Sequence, residues 1–293
     1  MIYYNSKNWG RAIFLVNRSD TFRALVPYLL VMIVYATAVV FAERTLLHLP
    51  DTSWLRNTPT MHTLLGFAIS MLLVFRTNTA YDRWWEGRKL WGTLVNNSRN
   101  LALKLQAFLP PGDEKARAFF RQAIPLYAKV LQRHLLKEST QLALDETVHM
   151  GLPDLAQAQH MPNKVAESMY KQVNALYRAG TLSGEQLIVI NEELRSFTDV
   201  CGACERIKNT PIPYSYSAFI KKFIFFYVVT LPFGFTFSLA YYTVPVTTFI
   251  FYVLASLELI AEEIEDPFGT DTNDLPMQRM ADTIKGNVEA IFE

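Results

Sequence analysis

The sequence predicts an all-α membrane protein, with four transmembrane helices per subunit and a helical cytosolic domain. Two observations lead to this class. The 293 residues are 51% hydrophobic and 13% aromatic, yet 19% are charged, a mixture that calls for a membrane part joined to a sizeable water-facing part. Long apolar runs alternate with charged stretches that carry helical spacing and helix caps, with few strand signals and no internal repeat.

The first predicted span is 24–41, 18 residues without a charge, preceded by Lys7, Arg11, Arg18 and Arg23. It is longer than a signal-peptide core and lacks a small-residue cleavage site, so it reads as a retained helix. The second is 62–75, 14 residues long. A bilayer core of roughly 30 Å needs about 20 helical residues, so protein should shield one end of this segment. The third and fourth, 223–240 and 244–260, share one apolar run with a turn at 241–245. Pro232 and Gly234 predict a kink in the third.

Basic residues set the orientation. Four lie in the first 23 residues and six lie between Arg76 and Lys104, and Lys221 and Lys222 abut the third span. The loop 42–61 holds only Arg44 and Arg56. Both termini and the segments 76–220 and 261–293 therefore belong on the cytoplasmic side. Leu90, Leu94, Leu101 and Leu105 predict a buried helical stripe, which 110–113 breaks. Asp113 and Glu114 open the next helix with acidic residues in its first turn. Gly180 ends a later one, and Ser183-Gly184-Glu185-Gln186 has the capping-box form. The whole chain, 1–293, reads as one domain.

The net charge of +1 offers no argument for nucleic acid. The only cysteines, Cys201 and Cys204, form one Cys-Gly-Ala-Cys. A redox pair or half a zinc site would use that spacing, but no second such pair exists, and the histidines at 48, 62, 134, 149 and 160 are not at ligand spacing from one another. Two reduced cysteines on a helix is the simpler reading. No nucleophile elbow, phosphate loop, zinc-protease helix or dinucleotide fingerprint occurs, so an enzyme is not expected.

Three constellations remain. Phe67, Met71 and Phe75 recur every fourth residue and form one stripe on a helix, either ordinary packing or an apolar constriction that gates by dewetting. One subunit with four spans does not easily enclose a pore, so the second reading needs a symmetric ring. The knot Asp82-Arg83-Trp84-Trp85-Glu86 reads as an ion-pair network at a membrane interface. The cluster Glu262, Glu263, Glu265, Asp266, Asp271 and Asp274 reads either as a helix end and solvated loop or as a hard-cation site, without the EF-hand spacing.

Taken together the motifs resemble the bestrophin family, in its bacterial branch. The carriers are 70–75, Asp82-Arg83-Trp84-Trp85-Glu86 with Arg88 and Leu90-Trp91-Gly92, Cys201-Gly202 and Cys204-Glu205-Arg206 with Thr210-Pro211-Ile212-Pro213, and Glu262-Glu263 and Glu265-Asp266-Pro267-Phe268-Gly269 with Asn273-Asp274-Leu275-Pro276. The resemblance implies a homopentameric ion channel in a bacterial inner membrane. It implies a pore neck at Phe67, Met71 and Phe75, and a cytosolic aperture whose usual apolar position falls on Glu185. Five glutamates there would attract cations and, by crowding, raise some of their own pKa values. Animal members bind calcium at the corresponding loop, so Glu263, Asp266, Asp271 and Asp274 are candidate ligands and calcium a candidate ion, with no cofactor required. The expectation is a passive channel for monovalent ions, cation-leaning because of Glu185. Its partners are copies of itself, the permeant ions and the lipid bilayer. A chloride channel is the alternative, and a membrane scaffold or sensor without conduction the second.

Overall fold

A computed structural model gives the fold and describes residues 21–48, 50, 53–136 and 160–293. Lys7, Arg11, Arg18 and His149, and with them part of the segment 76–220, lie outside the described residues. Among the described residues the structure is helical, with no strand.

Helix α1, Thr21–Phe41, runs on into a π-helical turn, Ala42–Leu46. Its buried side chains Leu25, Leu29, Met32, Ala36 and Val40 form one face, packed mainly on the last apolar helix, while Tyr28, Leu30, Val31 and Val34 point outward. Helix α2, Thr58–Phe108, has 51 residues and is roughly 76 Å long at the α-helical rise. The expected short span 62–75 is therefore one part of an unbroken rod. Arg76 marks where the apolar character ends, and the helix continues past it.

The expected break follows at 109–113, and α3, Glu114–Leu136, starts where Asp113 Oδ1 accepts the Ala116 N–H at 3.1 Å. Helix α4, Met161–Arg178, ends before Gly180, whose φ of +73° favours a residue without a side chain. Helix α5, Gly184–Asn209, opens with the expected capping box between Ser183 and Gln186. Helices α6, Tyr214–Leu239, and α7, Thr243–Glu265, divide the apolar run at a 3₁₀ turn, Ala240–Tyr242. Pro232 lies inside α6, which continues beyond it. Helix α8, Met277–Phe292, closes the fold.

Three stretches, Thr21–Leu46, Trp54–Phe108 and Tyr214–Glu265, are long and apolar enough to cross a membrane, and the third contains both α6 and α7. Two separate apolar cores result. One joins Met32, Ala36, Ile69, Leu73, Ile220, Ile224, Val228 and Leu254. The other, much larger, gathers Trp91, Leu94, Leu101 and Leu105 of α2 with α3, α4, α5 and α8. The predicted leucine stripe is thus buried, with Leu90 at its margin.

α2 alone supplies a major face to both cores, and between them it carries Arg76, Ala80 and Gly87 on the same buried stripe. At Gly87 the Phe268 ring and Leu275 close in; an added Cβ would lie 3.1 Å from Phe268 and 3.2 Å from Leu275. Phe268 is fully buried there, so the Asp-Pro-Phe-Gly turn is seated on α2 by the missing side chain. Replacing Gly87 by leucine should overpack this contact at a cost of about 2 kcal/mol. Thermal unfolding of the detergent-purified protein should show a midpoint lowered by several degrees; an unchanged midpoint would remove this role from Gly87.

Candidate functional site

The apolar part of α2 is two-faced. Ile69 and Leu73 are buried against α6 and α7. Phe67, Met71 and Phe75 lie on the other side and are 70%, 44% and 56% exposed. Large apolar side chains are thus presented together on one helix face and left largely uncovered by the described residues. Higher up, His62 is buried and bridges helices, with Nδ1 2.9 Å from Thr58 O and Nε2 3.0 Å from Thr230 Oγ1 on α6.

Below the stripe sits the arginine knot. Arg76 is 1% exposed. Its Nη2 lies 2.7 Å from Glu265 Oε2 and its Nε 3.6 Å from Glu258 Oε2, both on α7. Glu258 stands inside the run 223–260, a charge that an apolar reading of that run overlooks. The second Glu265 oxygen accepts the Ile212 N–H at 2.7 Å, so one carboxylate joins α2, α7 and the Thr-Pro-Ile-Pro turn.

Arg83 works on backbone instead. It donates to Glu265 O at 3.0 Å, Thr210 O at 2.6 Å and Ile207 O at 2.6 Å. These carbonyls belong to the C-terminal ends of α7 and α5, where a cation also meets the negative ends of the helix dipoles. The expected ion-pair network is therefore mostly a double helix cap. Trp84 Nε1 donates to Asn273 O at 3.0 Å, holding the acidic loop. Trp85 is half exposed and nearly parallel to Tyr81, with ring centroids 6.5 Å apart. Asp82 faces solvent, and Glu86 pairs with Arg206 at 2.7 Å.

Glu185 sits on the first turn of α5, fully exposed. The Ser183 hydroxyl donates to its Oε2 at 2.7 Å. That bond, with its own backbone N–H, holds the carboxyl below the usual carboxylate range. The reciprocal bonds of the cap use Gln186, and Glu185 stays exposed beside them, held at the Ser183 hydroxyl. The upward shift expected from crowding is a property of a ring; within one chain the direction is the opposite.

The acidic loop follows α7. Glu263 accepts from Thr272 Oγ1 at 3.2 Å and from Asn273 Nδ2 at 3.0 Å. Asp266 Oδ1 accepts the Phe268 N–H at 3.3 Å. Asp274 is 3% exposed, and its Oδ2 accepts the Asp271 N–H at 2.6 Å while Oδ1 is buried without a hydrogen bond. These carboxylates mostly brace the loop, and no three of them bring oxygens within 4.8 Å of one another. Beside Asp271 and Asp274 a cavity of about 210 Å³ opens toward Gln132 and Gln278.

The cysteines are buried, free thiols on α5. Burial, with the nearby Glu205 charge, pushes Cys201 up to about 12, so it stays protonated and unreactive. The histidines differ from expectation. Folding brings His134, His160 and Glu205 together, with His134 Nε2 2.5 Å and His160 Nε2 2.8 Å from Glu205 Oε1. No spacing in the sequence announces this, because the three residues come from three helices.

Burial pushes the Asp274 carboxyl up to about 7; the Asp271 N–H opposes this, and the charges of Asp271, Asp266 and Glu263 add to it. A carboxyl raised in the fold favours its neutral form. Its contribution to stability is full below the unfolded value of about 4 and is lost as pH rises toward about 7. The melting temperature should therefore fall across that window, and Asp274→Asn should remove the fall. Equal pH slopes in the two proteins would contradict the assignment.

Comparison with known proteins gives this arrangement its context. The model of the Bacterial/Fungal Bestrophin protein family matches residues 1–290. A voltage-dependent anion channel-forming protein of Nostoc is 36% identical over 228 residues, covering 76% of this chain and 74% of that protein. The Escherichia coli K12 protein YneE, of the same description, is 32% identical over 288 residues, covering 97% and 92%. Among solved structures, a variant of a bacterial bestrophin homologue from Klebsiella pneumoniae superposes with a TM-score of 0.81 at 27% identity, covering 92% of this chain and 100% of that one. With an apolar stripe laid open on α2, an arginine knot beneath it, and relatives that are channel-forming proteins rather than enzymes, this chain belongs to the bestrophin family.

Proposed function

We propose that the chain assembles as a homopentamer around a central pore and conducts monovalent ions passively. The pore wall is the exposed face of α2. The observation that carries this is the stripe Phe67, Met71 and Phe75, which the described residues leave largely uncovered. Five such stripes facing one axis make an apolar neck. Apolar side chains cannot replace a hydration shell, so the neck gates and sieves and does not coordinate ions. In this reading α1, α2, α6 and α7 are the four spans, both termini lie in the cytoplasm, and the membrane is the bacterial inner membrane. The outward Tyr28, Val31, Val34, Phe225 and Phe226 then face lipid or a neighbouring copy.

The permeant ion is an anion in this proposal, in keeping with the channel-forming relatives. A second reading, cation preference, is favoured by Glu185, whose carboxyl is exposed and held below its usual range at the tip of α5. For the acidic loop we propose bracing of the subunit. Calcium is a further candidate there, because Asp274 keeps one buried oxygen without a hydrogen bond.

The reversal potential of purified protein in a planar bilayer under a KCl gradient decides the sign. The anion reading predicts a value near the chloride potential, with Glu185→Ala moving it closer still. A value near the potassium potential that Glu185→Ala shifts toward chloride would replace it with the cation reading. Absence of any current would favour a scaffold or sensor.

A further inference from the structure

We propose that His134, His160 and Glu205 form a binding site for a divalent transition metal, zinc being the type ion, which fastens α3, α4 and α5 to one another. His134 lies in the last turn of α3, His160 is the N-cap of α4, and Glu205 projects from α5. One ligand atom from each lies within 4.8 Å of the others. All three side chains are partly exposed, so an ion can reach them from solvent.

The donor set suits the ion class. Two imidazoles and one carboxylate favour zinc and its neighbours over calcium or magnesium, which prefer oxygen alone. Tetrahedral zinc, with bonds near 2.0–2.2 Å, holds its ligand atoms about 3.3 Å apart. The two Nε2 atoms now lie 2.5 and 2.8 Å from Glu205 Oε1, so each has to withdraw by less than about 1 Å to admit the ion. Water completes the coordination.

The metal-free arrangement explains why the atoms already converge. One Glu205 oxygen takes a hydrogen bond from each ring, which draws both Nε2 atoms toward the same oxygen. Coordination replaces those two bonds. For His160 it also moves the ring proton to Nδ1, which now accepts the Asn163 N–H at 3.2 Å. That long cap contact gives way when the ion binds.

The test uses the full chain, purified in detergent and stripped with a chelator. It is titrated with ZnCl2 by calorimetry and with CoCl2 by visible absorption, whose intensity separates four- from six-coordinate ions. The expected result is one zinc ion per chain, unaffected by excess MgCl2. His134→Asn, His160→Asn and Glu205→Gln should each weaken binding by more than about 100-fold, beyond the cost of losing a supporting contact. His160→Asn keeps a side chain able to cap α4, and Glu205→Gln keeps an acceptor oxygen. Far-UV circular dichroism verifies that the variants fold. No saturable binding at one ion per chain, or binding unchanged in the three folded variants, would overturn the site and leave a hydrogen-bonded staple.

Discussion

Two arginines on one helix, Arg76 and Arg83, govern how the apolar and the water-facing halves of this protein meet. They stand two turns apart on α2, on the side turned toward α7. A buried guanidinium is costly to desolvate, and a buried pair is often no more stabilising than an apolar substitute. What such a group supplies here is direction. Among the described residues Arg76 finds its carboxylates on α7, and Arg83 finds its open carbonyls where α5 and α7 end. Rotating α2 would part the buried Arg76 from its carboxylates, a penalty of several kcal/mol, and would strip Arg83 of the carbonyls it caps.

That constraint sets the phase of the whole helix. At about 100° per residue, Phe67 lies about 180° around α2 from Arg76, and Met71 about 140°. Phe75 lies about 100° away. Turning the arginine inward therefore turns the stripe outward. The same phase puts Ile69 and Leu73 into one core and Trp91, Leu94, Leu101 and Leu105 into the other. Gly87, on that inner face, admits the Phe268 ring. The acidic loop is then held from both sides, by Trp84 at Asn273 and by the buried turn around Asp274. One helix thus links the exposed apolar face to the domain below it without a joint.

Much of the fold is legible in the sequence because its signals are local. The break at 110–113, the glycine at 180, the Ser183 cap and the leucine stripe all act within a few residues, and each appears where expected. The continuity of α2 past Arg76 is less legible. A charge after an apolar run marks a change of solvent, which need not end a helix. The partners of Arg83 were beyond reach too, since they are backbone carbonyls more than a hundred residues away. So was the meeting of His134 with Glu205, 71 residues apart. Glu258 was a readable signal, because a carboxylate within an apolar run calls for a buried cation.

The measurement that reaches the central claim most directly is thiol accessibility along α2 while current is recorded. The native cysteines are buried and contribute little background. A membrane-impermeant thiol reagent applied to Met71→Cys or Phe75→Cys channels should change the current, and applied to Ile69→Cys or Leu73→Cys channels should leave it unaltered. Modification at 69 and 73 with none at 71 and 75 would mean that α2 turns its other face to the ions, and the account built on the arginine knot would fail.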